Sequence, residues 1–194
     1  MIRCTCLIVG ISPFSFSAPT QTPRNTGEDH WAHEQRIWRE RIHRDKTGEA
    51  FISPMALKNC LSEVAKYLSE SVPGKGKATY TKHFEAGITV IEPLKLGVQA
   101  EAIDGEKLYL PSDGVRGSGK RVWKIYPYLP EWQARAEILL LDPIIKPEKV
   151  QEYLTFAGQF IGLGRFRPRN NGFYGRFTVK DFKSEKVSPA ALSA

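Results

Sequence analysis

The stretch Phe160–Val179, FIGLGRFRPRNNGFYGRFTV, is the one from which the fold is read. It runs from the end of an amphipathic helix, through a Gly-, Arg- and Asn-rich turn, into an aromatic strand, so a flexible cationic loop is expected between two regular elements. Gly162, Gly164, Gly172 and Gly175 permit positive φ and close approach of a ligand to the main chain. Arg165, Arg167, Arg169 and Arg176 offer forked donors that match phosphate oxygens. Phe166, Phe173, Tyr174 and Phe177 interleave with them, and flat rings beside guanidinium groups suit unpaired bases and their backbone. The plainer alternative is a helix C-cap, a tight turn and a core strand that happens to be basic. Recurrence of Arg at every second position speaks for the first reading.

Working outward, the helix that feeds this loop opens at Pro147 and carries Val150, Leu154, Ala157 and Ile161 on one face. Before it, QARAEILLLD (133–142) reads as a central strand. At the other end of the chain, RCTCLIVGI (3–11) reads as a buried strand stopped by Pro13. Cys4 and Cys6, two apart on a strand, point the same way and are expected to be buried thiols rather than half of a disulfide or metal framework. A second helix starts at Ser53-Pro54, with Ser53 suited to the N-cap and Pro54 to the first helical position. Leu57, Leu61, Val64 and Leu68 then give an apolar stripe ending near Ser71. Lys58 lies beside it, where an ammonium and helix N-terminal amides can meet a phosphate together.

Between these elements the chain is more irregular. Residues to about 30 form a Ser/Thr/Pro-rich loop, and WAHEQRIWRERIH (31–43) reads as a short charged helix. PGKGKATYTK is a basic loop in which Lys75 and Lys77 could track a backbone. Residues 83–98 read as a strand broken at Pro93, and 99–121 as an irregular excursion with a short strand at KLYLP. Gly114–Lys120 (GVRGSGK) matches the first seven positions of a Walker A loop, but the eighth is Arg121 and a strand, not a helix, follows, so nucleotide hydrolysis is excluded. Arg116, Lys120, Arg121 and Lys124 with Trp123 and Tyr126 instead read as a flexible cationic hairpin. The tail from about Ser184 is expected to fray.

The order strand, helix, two or more strands with an insertion, helix, strand predicts an α+β fold with a ferredoxin-like, RRM-like βαββαβ core. One domain is expected over 1–184, with insertions at about 12–50 and 99–130 and a flexible tail at 185–194. The chain has 194 residues and a formal net charge of +7, which favours a polyanionic partner. No apolar run approaches the roughly 18 residues a membrane span needs and no signal-peptide core follows Arg3, so a cytoplasmic protein without a membrane partner is expected. No metal or cofactor is expected.

Two stretches also carry a likeness to a known family. Ile52-Ser53-Pro54-Met55-Ala56-Leu57-Lys58-Asn59-Cys60-Leu61 is similar to a helix-opening pattern, commonly Ile-Pro-Gly-Ser-Ser-Leu-Lys-Gly followed by a small residue and Leu. The loop from Gly162-Leu163-Gly164 to Gly175 is similar to the Gly-rich loop before the last strand of an RNA-recognition-type core. Together they resemble the RAMP superfamily of CRISPR-associated RNA-binding proteins, most nearly the backbone subunits that polymerise along a guide RNA. Pro54, Met55, Ala56 and Asn59 stand where that family usually has Gly, Ser, Ser and Gly, which leaves Lys58 as the contact carried over in the first motif. The resemblance implies single-stranded guide RNA, a complementary target strand, further copies of the chain and other effector subunits as partners, and finger- and thumb-like roles for the two insertions. The candidate nucleic-acid-binding residues are Lys58, Lys75, Lys77, Arg116, Lys120, Arg121, Gly162, Gly164, Arg165, Arg167, Arg169, Asn170, Asn171, Tyr174 and Arg176, with no catalytic set. Two alternatives stay open: a metal-independent endoribonuclease of the same superfamily using His43 or His83, and a single-stranded DNA-binding protein of a phage or mobile element.

Overall fold

A computed structural model describes residues 1–115, 117 and 119–188. The chain is α+β, with antiparallel sheets. Strand β1 (Ile2–Gly10) lies between β8 (Gln133–Leu140) and β9 (Phe177–Lys186), and β4 (Ile88–Val90) pairs with the far edge of β8, giving the order β4-β8-β1-β9. The register Cys4↔Ile138, Cys6↔Ala136 and Ile8↔Ala134 puts alternate residues on one buried face, as a period of two requires. Cys4 and Cys6 are thus buried free thiols, and burial pushes the Cys6 thiol up to about 12. That face shares one hydrophobic core with α2 (Pro54–Leu68) and α4 (Pro147–Phe156), through Leu57, Leu61 and Val64 of the first and Val150, Tyr153 and Leu154 of the second. Each helix begins on its proline, whose missing N–H costs nothing there. Ser53 stands at the N-cap of α2 as expected, and its side chain makes no capping bond among the described residues.

Several boundaries differ from the sequence reading. His83 to Ala86, expected in a strand, close a short helix α3 (Tyr80–Ala86), because Tyr80 and Phe84 lie one turn apart and both bury against Tyr153. Two short strands, β3 (Glu49–Ile52) and β5 (Leu94–Gln99), form a separate pair. Strand β9 continues past Ser184, since Glu185 and Lys186 pair with Arg3 and Ile2 and the Val187 N–H donates to the Met1 carbonyl. Residues 189–194 of the expected tail lie outside the described residues.

The expected hairpin is formed by β6 (Asp104–Pro111) and β7 (Arg121–Leu129), its first strand opening three residues before KLYLP in a stretch expected to be irregular. Strand β2 (Phe14–Ser15) adds to the end of β7 at Tyr128 and Leu129. Farther along the same edge, the place of a strand is taken by an ion pair from α1 (His30–Ile37) and the 3-10 turn that follows it (Trp38–Arg41). The Ile125 N–H donates to Glu34 Oε1 at 2.8 Å, and Arg41 Nη1 donates to the Ile125 carbonyl at 2.9 Å. Arg41 and Glu34 meet each other at 2.7 and 3.1 Å, both buried. Two side chains thereby satisfy the strand's backbone donor and acceptor. The segments 12–50 and 99–130 thus meet along β7.

Candidate nucleic-acid interface

The 160–176 loop is a closed structure rather than a flexible one. Leu163 N–H donates to Gly175 O at 3.0 Å, Tyr174 N–H to Phe166 O at 3.1 Å, and Gly175 N–H to Pro13 O at 2.8 Å. Arg165 N–H donates to Ser15 O at 2.9 Å, which fastens the loop to β2. Gly162 and Gly164 hold φ of +73° and +77°. A side chain there would collide with Pro168 at the first and with the Ser15 carbonyl at the second. These two glycines therefore serve close packing of the chain on itself; Gly162 is buried, while Gly164 is partly exposed and borders a groove with Leu163 and Arg167.

Within this loop the arginines do not share a side. Phe166 adopts a left-handed φ of +49° and residues Pro168–Asn170 form a 3-10 turn, so the alternation of an extended strand is lost. Arg165 faces the hairpin. Its guanidinium lies 3.2 Å from the ring centre of Tyr126 and 3.7 Å from that of Phe166, a cation held between two aromatic faces. Its Nη1 is buried without a hydrogen-bond partner among the described residues, and burial pulls its pKa below the usual arginine value. Beyond it opens a cleft of about 820 Å³ between hairpin and loop, lined by Leu110, Lys124, Tyr126, Arg165, Phe166, Asn171, Phe173 and Tyr174 among others. Phe173 stands 63% exposed at its mouth. The Tyr174 hydroxyl donates to Glu106, and burial followed by that acceptor pushes the phenol up to about 12. Lys124 is held by Glu34 at 3.1 Å. Among the described residues lining the cleft, Arg165 is thus the cation without a carboxylate, set among flat rings.

Arg167 and Arg169 face α2 instead, where Glu63 takes both, at 2.9 and 3.2 Å. Arg167 also borders a second, smaller groove of about 260 Å³ with Ser15, Ser17, His43, Ser53 and Asn59. Arg176, at the foot of β9, donates to the Gln159 carbonyl at 3.4 Å. Asn170 is exposed on the 3-10 turn, and Asn171 ends it with φ of +56°.

The remaining candidates are scattered. Lys58 Nζ donates to the Glu85 carbonyl at 2.7 Å and so fastens α2 to α3. Lys75 and Lys77 are exposed in the turn between these helices, and Lys120 and Arg121 at the hairpin tip. Arg116 lies outside the described residues. His43 stacks on Phe51, and burial pulls its pKa down. His83 Nδ1 lies 2.6 Å from Asp142 Oδ2. No helix among the described residues is long and apolar enough to cross a membrane.

Sequence reasoning singled out Lys124 and Tyr126 with the hairpin but not their meeting with Arg165, and it missed Glu63 and Ser15. For Glu63 a signal existed: an acid one turn after Asn59 on the polar face of α2. Ser15 had none.

No family model and no curated protein matches the chain. Its class, an α+β domain with antiparallel sheets, is one found among solved structures. A chain in the cryo-EM structure of the Type III-B Cmr-beta bound to cognate target RNA is similar, with a TM-score of 0.52 and 10% sequence identity over 95% of this chain and 61% of that one. At that identity the likeness is one of fold, and this chain spans about three-fifths of the neighbour's length.

Proposed function

We propose that this chain is a single-stranded RNA-binding subunit of a CRISPR-type ribonucleoprotein, that it has no nuclease activity of its own, and that copies of it line up along a guide strand beside other effector subunits. The observation that carries the reading is the Arg165 cleft. A guanidinium stacked between Tyr126 and Phe166, its Nη1 without a hydrogen-bond partner among the described residues, supplies a phosphate donor, and Phe173 beside it supplies a face for an unpaired base. The strand order β4-β8-β1-β9, with α2 and α4 intervening in the chain, supports a ferredoxin-like core, and the fold likeness to a chain of an RNA-bound Cmr assembly agrees with it. One domain of this size contacts a few nucleotides, so tight hold on a long strand comes from linking many weak sites.

The His83–Asp142 pair favours the endoribonuclease as a second reading, since a carboxylate-oriented imidazole is what a general base requires. Neither residue lines the cleft, and the pair also joins α3 to the turn after β8.

Labelled single-stranded RNAs of increasing length separate these readings. Complex mass should rise in steps with length, affinity should fall with salt by a log–log slope of about −0.7 per phosphate neutralised, and the RNA should stay intact. One-to-one complexes at every length would remove the polymerising role, and cleavage abolished by His83→Ala would replace the binding subunit with the nuclease.

A further inference from the structure

We infer that the groove on the α2 side of the loop receives the ribose 2′-hydroxyl of a bound strand, with Ser15 as the residue that distinguishes RNA from DNA. This rests on the RNA-binding reading above and names what selects the strand. Ser15 lines the groove, its residue is 0% exposed, and its Oγ finds no hydrogen-bond partner among the described residues. A buried hydroxyl left unpaired is costly and uncommon. Its carbonyl, by contrast, is engaged by the bond from Arg165 N–H.

Charge decides which group the groove suits. Arg167, its cation, is neutralised by Glu63 at 2.9 Å, and Lys58 of the neighbouring helix turn is committed to the Glu85 carbonyl. What remains is a set of uncharged groups that both give and accept hydrogen bonds: Ser15, Ser17, Asn59 and the His43 imidazole, whose burial favours the neutral form. A phosphate would find little to balance it. A 2′-hydroxyl, neutral, at once donor and acceptor, and absent from DNA, matches the set. The bond between Arg165 and Ser15 puts groove and cleft on either side of one ridge of chain, so one strand can lay a phosphate or base against Arg165 and a neighbouring ribose against Ser15.

The test compares binding of one sequence as single-stranded RNA, DNA and 2′-fluoro RNA. The wild-type chain should favour RNA over the other two by about tenfold, the worth of one well-made hydrogen bond. Ser15→Ala should remove that preference by weakening RNA alone, with a melting temperature unchanged or raised because an unpartnered hydroxyl has gone. Asn59→Ala, at the exposed rim, should reduce the preference without touching the core. Arg165→Ala should weaken RNA and DNA alike. Equal binding of RNA and DNA by the wild type, or a preference that survives Ser15→Ala, would overturn this inference alone; failure to bind either strand would remove the proposed function with it.

Discussion

Arg165 and Arg167 stand two residues apart in one loop and meet opposite surroundings. On the hairpin side, Arg165 lies between two aromatic rings with no carboxylate in ion-pair range among the described residues. On the α2 side, Glu63 holds Arg167 and Arg169 together. The comparison teaches that a run of cations in a sequence measures potential charge, while the packing around each one decides what is available to a partner. Two of the three arginines share one carboxylate, so about half of their charge is balanced before any ligand arrives. The hairpin-side arginine gains instead from partial desolvation, which strengthens any charge-assisted bond it makes.

The comparison depends on the hairpin keeping its place, and the largest expected effect comes from loosening it. Arg41→Ala would leave Glu34 buried without its main partner and the Ile125 carbonyl without its donor, at a cost of about 3–5 kcal/mol. Hydrogen exchange should show amides of residues 121–127 losing protection while those of α2 keep theirs. If both sides loosen together, the two regions are one cooperative unit and do not deserve separate treatment.

Next in size is the contrast between the arginines themselves. Arg165→Ala should weaken binding of single-stranded RNA by about 10- to 100-fold, the range for one buried charge-assisted contact. The Arg167→Ala, Arg169→Ala double variant should cost less than about fivefold despite removing twice the formal charge, because the shared, partly exposed Glu63 already balances half of it and holds both guanidinium groups. Anisotropy titrations with circular dichroism as a folding control would measure both. A larger loss in the double variant would reverse the assignment of the site.

Much of the fold was legible in the sequence because it is written in short-range signals. Prolines 54 and 147 mark helix starts, a 3.6-residue stripe marks α2, and a short apolar run stopped by Pro13 marks β1. The α3 error had a local cause: about two turns of helix carry too few residues for periodicity to separate them from a strand. The site was legible only in part. That the loop and the hairpin were both cationic could be read, but that Arg165 and Tyr126 stack face to face, while Glu63 takes the next two arginines, depends on how elements 40 to 100 residues apart are brought together. The positive φ at Phe166, a residue type that rarely adopts it, turns the chain so that arginines at every second position do not share one side.

The smallest expected effect sharpens the comparison most, because it runs toward gain. If Glu63 is what silences Arg167 and Arg169, then Glu63→Gln, which keeps the shape of the side chain and removes its charge, should release two cations on the α2 side. Glu63 is partly exposed and the pairs are screened by solvent, so each contributes less than about 1 kcal/mol. RNA affinity at low salt should therefore rise by about two- to fivefold, and the salt slope should steepen by about 0.7 for each phosphate newly neutralised. Both changes should vanish when Glu63→Gln is combined with the Arg167→Ala, Arg169→Ala pair, and both should persist in an Arg165→Ala background, since that residue lies on the other side of the ridge. A Glu63→Gln variant that binds more weakly than the wild type would mean that the carboxylate positions the two arginines for the strand rather than withholding them, and the α2 side would then belong to the interface on equal terms with the hairpin side.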